Sequence, residues 1–514
     1  MPRLMRALVF YFCLNLGSPF SVDLGSPFSV DLGSPFSVDI ITLGFYGAST
    51  SSSLSYTGPG IDTAVRDAKV TYRGVFNITH TVLRGAPGLD CFTISFNCDA
   101  LIGGYFYTRR RQYDMTAIIV PGCVDVQFVN KLAAEWNILF ISGATTFDTQ
   151  RDKRQSPTWI TTTPLNFPSI AAFCWALLKS YNWTTVYIAT DSSSSPFYQA
   201  AGQSLARLLR QIPGTQPVDK VFDSIRDPDY HDRVLNDFQI RSRICAFFGH
   251  AAELRKFLIY IGLETFHNAL YGGLSWNTFD ANSDDLLRPA IRSVLLMTVA
   301  EPANRNLTAI KQFEKEWILS SEERYNYTYG EHEKVSPYVS SCYAAVAIFT
   351  KILNETLALD HEFNFTDGRA FVQKFRNRTL TTAVGDVYLD SVLERHGDLF
   401  VRAFHRDGDS TNVTLTNVKV LLASGDELIS LQPIQWANGI GPPANRPPCG
   451  YVKNPTSCLA EAHQTVIIAA TLSCFVLLIL LTLIAFSGLR WSRSDLWWHL
   501  DLTEFTPLHQ QQSI

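Results

Sequence analysis

The sequence has no surplus of charge of either sign. Its 43 lysines and arginines stand against 47 aspartates and glutamates, a net charge of -4. No long basic stripe interrupts that balance, so the electrostatic footprint of a nucleic-acid-binding protein is missing and nucleic acid is excluded as a partner. The motifs of common hydrolytic and phosphoryl-transfer chemistry are lacking too, with no nucleophile elbow and no Walker loop. His332-Glu333 and His361-Glu362 lack the second histidine of a zinc-protease helix. Asp407-Gly408-Asp409 lacks the remaining ligands of a calcium loop and reads as a hairpin turn. Gly44 and Gly47 give an incomplete phosphate-loop fingerprint, for which a plain turn or a ligand cleft is the better reading. No catalytic residue and no metal ligand is assigned.

One segment lacks charge altogether. Thr465 to Phe486 is apolar throughout and long enough to cross a hydrocarbon core of about 30 Å as a helix. Glu461 and His463 precede it, while Arg490 and Arg493 follow, so the positive-inside bias places the C-terminus in the cytosol. At the other end, Arg3 and Arg6 precede the apolar run Ala7 to Leu16 and the small residues Gly17 and Ser18, which reads as a secretory signal. A type I plasma-membrane protein with an extracellular N-terminus is expected. Eight cysteines lie between the two segments: Cys91, Cys98, Cys123, Cys174, Cys245, Cys342, Cys449 and Cys458. That compartment is oxidising, so disulfides are expected. Glycosylation sequons fall in the same region, at Asn77, Asn182, Asn306, Asn326, Asn354, Asn364, Asn377 and Asn412, whereas Pro455 spoils the one at Asn454.

The chain divides by pattern. Residues 1–18 form the signal, and residues 19–39 complete three copies of LGSPFSVD, which are too short to bury a core and are expected to be disordered. From Ile40, apolar runs that suit buried strands alternate with helical spacing. Strands are expected at 40–46, 116–120, 138–141, 186–190, 244–249 and 269–275, and helices at 61–72, 126–136, 170–181, 197–210 and 252–263. That alternation over residues 40–432 implies an α/β fold with two lobes of helix-wrapped parallel sheet. Residues 433–464, rich in Pro and Gly, read as a stalk, in which Cys449 and Cys458 are near enough to close a local disulfide. A membrane helix at 465–486 and a cytosolic stub at 487–514 complete the chain.

These stretches resemble the extracellular ligand-binding region of membrane guanylate cyclases of the natriuretic-peptide-receptor family. The resemblance rests on VPGC at 120–123, NILFISGATTFD from Asn137, SIAAFCWALLKSYNWTTVYIATD at 169–191 and RSRICAFFG at 241–249. It continues in FRNRTLTTAVGDVYLDSVLERHGDL from Phe375, the juxtamembrane PPCGYVKNPTSC and the post-membrane SDLWWHLDLTEFTPL. It implies a periplasmic-binding-protein type I fold, two hinged Rossmann-like lobes (a Venus flytrap), with an extracellular ligand, peptide or small molecule, regulating a dimer. It also implies a disulfide joining Cys98 to Cys123, with Cys91 as the alternative partner, a membrane-proximal bridge joining Cys449 to Cys458, and a turn at Arg395-His396-Gly397. In some relatives the loop matching Gly122 and Cys123 holds chloride, which a nest of backbone N–H groups can do; a structural turn is the plainer role.

Two departures stand out. DSSSSP at 191–196 lacks a cysteine that many relatives carry, leaving Cys174, Cys245 and Cys342 without secure partners, and a buried free thiol is the simple reading of Cys174. The 28 residues after Phe486 are too few for a kinase-like or a cyclase domain, so the chain as given is not expected to make cyclic GMP. Three classes follow: the binding half of a receptor cyclase, partnered with itself or with a full-length cyclase; a short clearance or decoy receptor; or the ectodomain of another binding-protein-like receptor.

Overall fold

The structure is a computed structural model. It describes residues 35–46, 52–84, 97–122, 126–143, 148–227, 229–250, 253–254, 261–263, 291–299, 307–330, 333–406, 413–422, 427–436, 439, 441–446, 451 and 455–494. The signal segment, the first two repeats, Cys91, Cys123 and Cys449, the sequons at Asn306 and Asn412, the 269–275 strand and the Asp407–Asp409 turn lie outside the described residues.

The N-lobe is built on a five-stranded, all-parallel sheet. Its strands are β1 (Phe36–Gly44), β2 (Phe76–Arg84), β3 (Met115–Val120), β4 (Leu139–Ser142) and β5 (Trp159–Thr161), in the order β2-β1-β3-β4-β5. Alternate residues of the central strands feed two cores, as the period of two demands. Val38, Ile40, Met115, Ala117 and Ile119 face one core, and Ile41, Leu43, Ile118 and Val120 face the other. Helices α1 (Leu54–Thr71), α8 (Leu307–Tyr325) and α9 (Pro337–Leu359) close the first, together with the hairpin sheet of β11 (Arg378–Thr382), β12 (Gly385–Leu389) and β13 (Arg395–His396). Helices α2 (Cys98–Thr108) and α3 (Val126–Glu135) close the second.

The C-lobe sheet has eight strands. A parallel run of β6 (Thr185–Asp191), β7 (Gln216–Phe222), β8 (Ile244–Phe248), β9 (Ile261–Leu263) and β10 (Leu295–Val299) is extended antiparallel by β14 (Leu399–Arg406), β15 (Val413–Leu421) and β16 (Leu428–Ser430). Helices α5 (Phe167–Ser180) and α6 (Pro196–Gln211) pack on one face and α7 (Tyr230–Arg241) on the other, with the single-turn α4 (Asp148–Arg151) and α10 (Gly368–Val372) completing the N-lobe. The chain passes between lobes three times: after β5, after β10 and after β13.

Four expectations need correction. The first strand begins at Phe36, so the third LGSPFSVD copy is not disordered throughout. Its Val38 is fully buried, and Ser37 N and Oγ both donate to Asp114 Oδ2 at 2.7 Å. Helix α1 starts seven residues earlier than expected, running through Gly58, Pro59 and Gly60. Proline removes the N–H that would bond the carbonyl four residues back, and Ser321 Oγ donates to that carbonyl, Ser55 O, at 2.9 Å. The two glycines are needed for packing, because a Cβ on Gly58 would meet the Tyr325 ring at 2.3 Å and one on Gly60 the Val339 carbonyl at 2.4 Å. Residues 261–263, expected to end a helix, are a strand between β8 and β10. Arg395 and His396 form β13 rather than a turn.

The stalk also differs from a free spacer. Its first part is stitched to the base of the C-lobe. Trp183 Nε1 donates to Pro443 O at 2.8 Å, and Asn445 Oδ1 accepts from Thr184 N and Thr185 N at 2.8 and 2.9 Å. Its last part, from Pro455, is already helical: α11 is one helix from Pro455 to Ser494. Cys458 therefore lies on helical backbone. Within α11, Val466–Ser487 has a mean hydropathy of 2.9 and none of it is buried.

Candidate ligand cleft and hinge

In open α/β sheets the crevice for a ligand forms at the carboxyl ends of the strands, where the strand order reverses. In the N-lobe that point lies between β1 and β3. The β1 end leads to Phe45, Tyr46 and Ser53, the buried N-cap of α1, whose Oγ accepts from Ser55 N at 3.1 Å. The β3 end leads to Pro121 and Gly122, and Gly122 holds φ +90°, a conformation suited to glycine and to a nest of N–H groups. A Cβ on Gly44 would meet Leu54 at 2.4 Å, so Gly44 serves close packing of strand on helix rather than a phosphate loop. Cys98 is buried at the first position of α2.

The C-lobe reverses between β6 and β8, and here the residues build a hydroxyl-rich rim. The Asp191 carboxylate, buried at the end of β6, accepts from Ser193 N (3.1 Å) and Oγ (2.7 Å), Ser194 Oγ (2.6 Å), and Ser224 N (3.1 Å) and Oγ (2.8 Å). Burial opposes its ionisation, but the three serines outweigh that and hold its pKa below the usual carboxylate range. With both oxygens saturated, Asp191 acts as an anchor for the loops after β6 and β7, not as a proton carrier. Ser194 Oγ in turn accepts from His250 N at 3.2 Å, tying the loop after β8 into the same rim. The His250 ring stands edge-on to Tyr198 at 5.5 Å, and burial lowers its pKa, so it is neutral at physiological pH. Across the cleft, Tyr338 at the start of α9 is buried.

Below this cleft two interlobe crossovers run side by side. Thr161 N donates to Leu393 O at 3.1 Å, Thr161 bridges Glu394, and Arg395 Nη1 donates to Thr162 O at 3.2 Å. Ser341 of α9 locks the pair, its Oγ donating to Gly143 O and Thr162 O, while Thr162 Oγ1 donates to Ser341 O at 2.9 Å. A charged cluster sits beside this hinge. Asp390 Oδ2 lies 2.8 Å from His396 Nε2, and Arg151 Nε lies 2.9 Å from the buried Glu394 Oε1, close enough to pair although neither atom has hydrogen-bond geometry. The bond to Asp390 raises the His396 pKa, burial raises that of Glu394, and burial pushes Lys153 down to about 7. The ligand atoms of Asp390, Glu394 and His396 come together, but Arg151 already supplies positive charge beside Glu394 and His396 pairs with Asp390, so the arrangement is a salt-bridged hinge support.

Among the described residues, none of those assigned from the sequence forms this cleft apart from Gly122 at its edge. The sequons at Asn77, Asn182, Asn326, Asn364 and Asn377 are exposed and Asn354 is half-exposed. Cys174, Cys245 and Cys342 are free and buried, and burial pushes the Cys174 thiol up to about 12, far from a reactive thiolate. The signal for the rim in the sequence is the run of short hydroxyl residues 192–195 directly after a buried strand.

Two hinged three-layer α/β lobes with a polar rim at the strand ends define a bilobal ligand-binding protein. The family described as the receptor family ligand binding region matches residues 96–406, and the chain belongs to that family. It is similar to atrial natriuretic peptide receptor 2 of Homo sapiens, 22% identical over 397 residues, covering 70% of this chain and 35% of the relative. Atrial natriuretic peptide receptor 3 of Bos taurus is 20% identical over 293 residues, covering 54% and 52%. The receptor-type guanylate cyclase gcy-28 of Caenorhabditis elegans is 25% identical over 210 residues, covering 40% and 16%. The chain thus spans about a third to a half of the length of the natriuretic peptide receptors it matches.

Proposed function

We propose that this chain is the ligand-binding part of a single-pass, type I plasma-membrane receptor. An extracellular ligand, peptide or small molecule, sets the arrangement of the two lobes and of a dimer by binding one arrangement more tightly than another. The observation that carries this reading is the joining of a bilobal binding region to an apolar helix that the rest of the protein leaves uncovered. A charge-free stretch of 22 residues exposed on all sides suits lipid and not water. The signal segment, the exposed sequons, and the Cys98–Cys123 and Cys449–Cys458 disulfides belong to the same reading, as does chloride at Gly122 and Cys123. Signalling through cyclic GMP would need a cyclase catalytic domain, which the matched binding region is not.

Helix α2 supports self-association. It is apolar on both faces, yet Ala100, Gly104 and Tyr107 are exposed and the space over Gly103 and Gly104 is open. Two mid-helix glycines cost about 1 kcal/mol each against alanine, and a flat surface for a second α2 gives them a use. Exposed Asp99 at one end and Arg110 at the other pair reciprocally when two copies meet antiparallel.

The test is surface biotinylation of intact cells with glycosidase treatment, followed by cross-linking with and without Gly104→Leu. A biotinylated, glycosidase-sensitive protein whose cross-linked dimer is lost on Gly104→Leu agrees with the proposal. A cytosolic, glycan-free product sinks the receptor reading, and an unchanged dimer sinks only the α2 interface.

A further inference from the structure

At the base of the C-lobe, away from the cleft, lies an open surface pocket of about 380 Å³, its floor formed by Tyr181, Lys419, Ile434 and Trp436 and its rim by the exposed residues Ser430 to Pro433. Its size falls in the range that holds small organic ligands. Three elements make it: the C-terminal end of α5, the β15–β16 pair, and the segment that leaves β16 for the stalk. Tyr181 and Trp436 meet edge to face at 5.4 Å, and Trp183 backs them at 4.7 and 6.1 Å. Leu431 N donates to Val418 O at 2.8 Å, fixing the rim.

The unexplained group here is Lys419. Its ammonium stands 4.8 Å above the Tyr181 ring centre, half-buried, and among the described residues no carboxylate pairs with it and no acceptor takes its hydrogens. Burial alone lowers its pKa, with no acidic neighbour to oppose that. An ammonium carries three donors, and the ring face satisfies none of them as an anion would. The Tyr181 ring face holds the ammonium in place over the pocket while leaving its donors free for an anion. We propose that this pocket is a binding site for a small amphiphilic organic anion, an aromatic or acyl carboxylate. Lys419 pairs with the carboxylate, Ser430 and Gln432 rim its polar end, and Tyr181 and Trp436 hold the apolar part.

The location gives the site a consequence. The residues after Trp436 are those that Trp183 and Asn445 fasten to the start of β6, and they lead to α11. A ligand wedged between β15 and Trp436 braces that fastening, so the site adjusts how firmly the C-lobe holds the chain leading to the membrane.

The probe is 4-(trifluoromethyl)benzoate, with its uncharged amide as the matched control, read by fluorine NMR line broadening on the full chain in lipid nanodiscs against empty nanodiscs. The benzoate should bind saturably at millimolar concentration and the amide should not. Lys419→Met should weaken the benzoate about tenfold or more, the loss of a charge-assisted contact, while Lys419→Arg restores it. Lys419 is half-exposed and outside the core, so its variants keep the wild-type melting temperature; Trp436→Ala should also lose binding. Equal broadening by benzoate and amide, absence of saturable binding, or an affinity unchanged in Lys419→Met each overturns the proposal.

Discussion

Helices α9 and α11 look alike in composition and behave oppositely. Both are long and apolar enough to cross a membrane by length and hydropathy, at 1.3 for Pro337–Leu359 and 2.9 for Val466–Ser487. Yet α9 is the central helix of the N-lobe core, with Ile348, Phe349, Ile352 and Leu353 fully buried, whereas none of the apolar part of α11 is buried among the described residues. Their hydroxyls show the reason. In α11, Thr471, Ser473, Thr482 and Ser487 all turn back to carbonyls three or four residues earlier in their own helix. That is the arrangement for a solvent that offers no partner. In α9, Thr350 and Thr356 do the same, but Ser341 reaches out to Gly143 O and Thr162 O, so a polar group that would be a burden in lipid becomes the lock of the hinge. Apolar content says that a helix must be covered; the direction of its few polar groups tells by what.

Substitutions can break this contrast. Phe349→Ala in α9 opens a cavity among Phe371, Ile352 and Leu353 and should cost about 3–5 kcal/mol, seen as a large fall in the melting temperature of the binding region. Phe475→Ala in α11 should leave that temperature unchanged. Leu478→Arg, in the middle of the apolar stretch, should cost about 2.5–3.5 kcal/mol of membrane insertion and release the protein on carbonate extraction without affecting the fold of the lobes. Ser341→Ala strips the lock from Thr162 and should destabilise by about 1–2 kcal/mol, whereas Ser473→Ala should shift stability by less than about 0.5 kcal/mol.

The smallest effect is pH-linked and concerns only the hinge beside α9. His396 gains Asp390 in the fold, so its pKa rises above 6.5. Its stabilisation is therefore full below pH 6.5 and lost as pH rises through the elevated value. Lys153, lowered to about 7, titrates close by with the opposite sign. The measurable quantity is thus the difference in melting temperature between wild type and His396→Gln, which should shrink from pH 6 to pH 8.5. A constant difference would mean that the histidine acts through shape rather than charge.

Much of this fold was legible in the sequence because strand and helix alternate with clean periods. Cys174, Leu177 and Leu178 on α5, and the apolar run of β6, went where their spacing put them. The failures came where a distant residue rescues a local rule. Pro59 reads as a helix stop until Ser321, 266 positions from Ser55, supplies the missing bond. Ile261–Leu263 reads as the end of an amphipathic helix until β8 and β10 claim it from either side. The site was less legible for the same reason. Asp191 meets Ser224, 33 positions away, and Arg395 meets Thr162, 233 positions away. No window along a single sequence holds such pairs, and none announces itself by composition.

The unbroken helix from Pro455 to Ser494 has a mechanical meaning. Forty residues of α-helix make a rod about 60 Å long, roughly twice the depth of a lipid hydrocarbon layer. A spindle of that kind has no joint at which torque can dissipate. In the receptor proposed above, a few degrees of roll at the outer end of this helix would reappear at its inner end as a few degrees of roll.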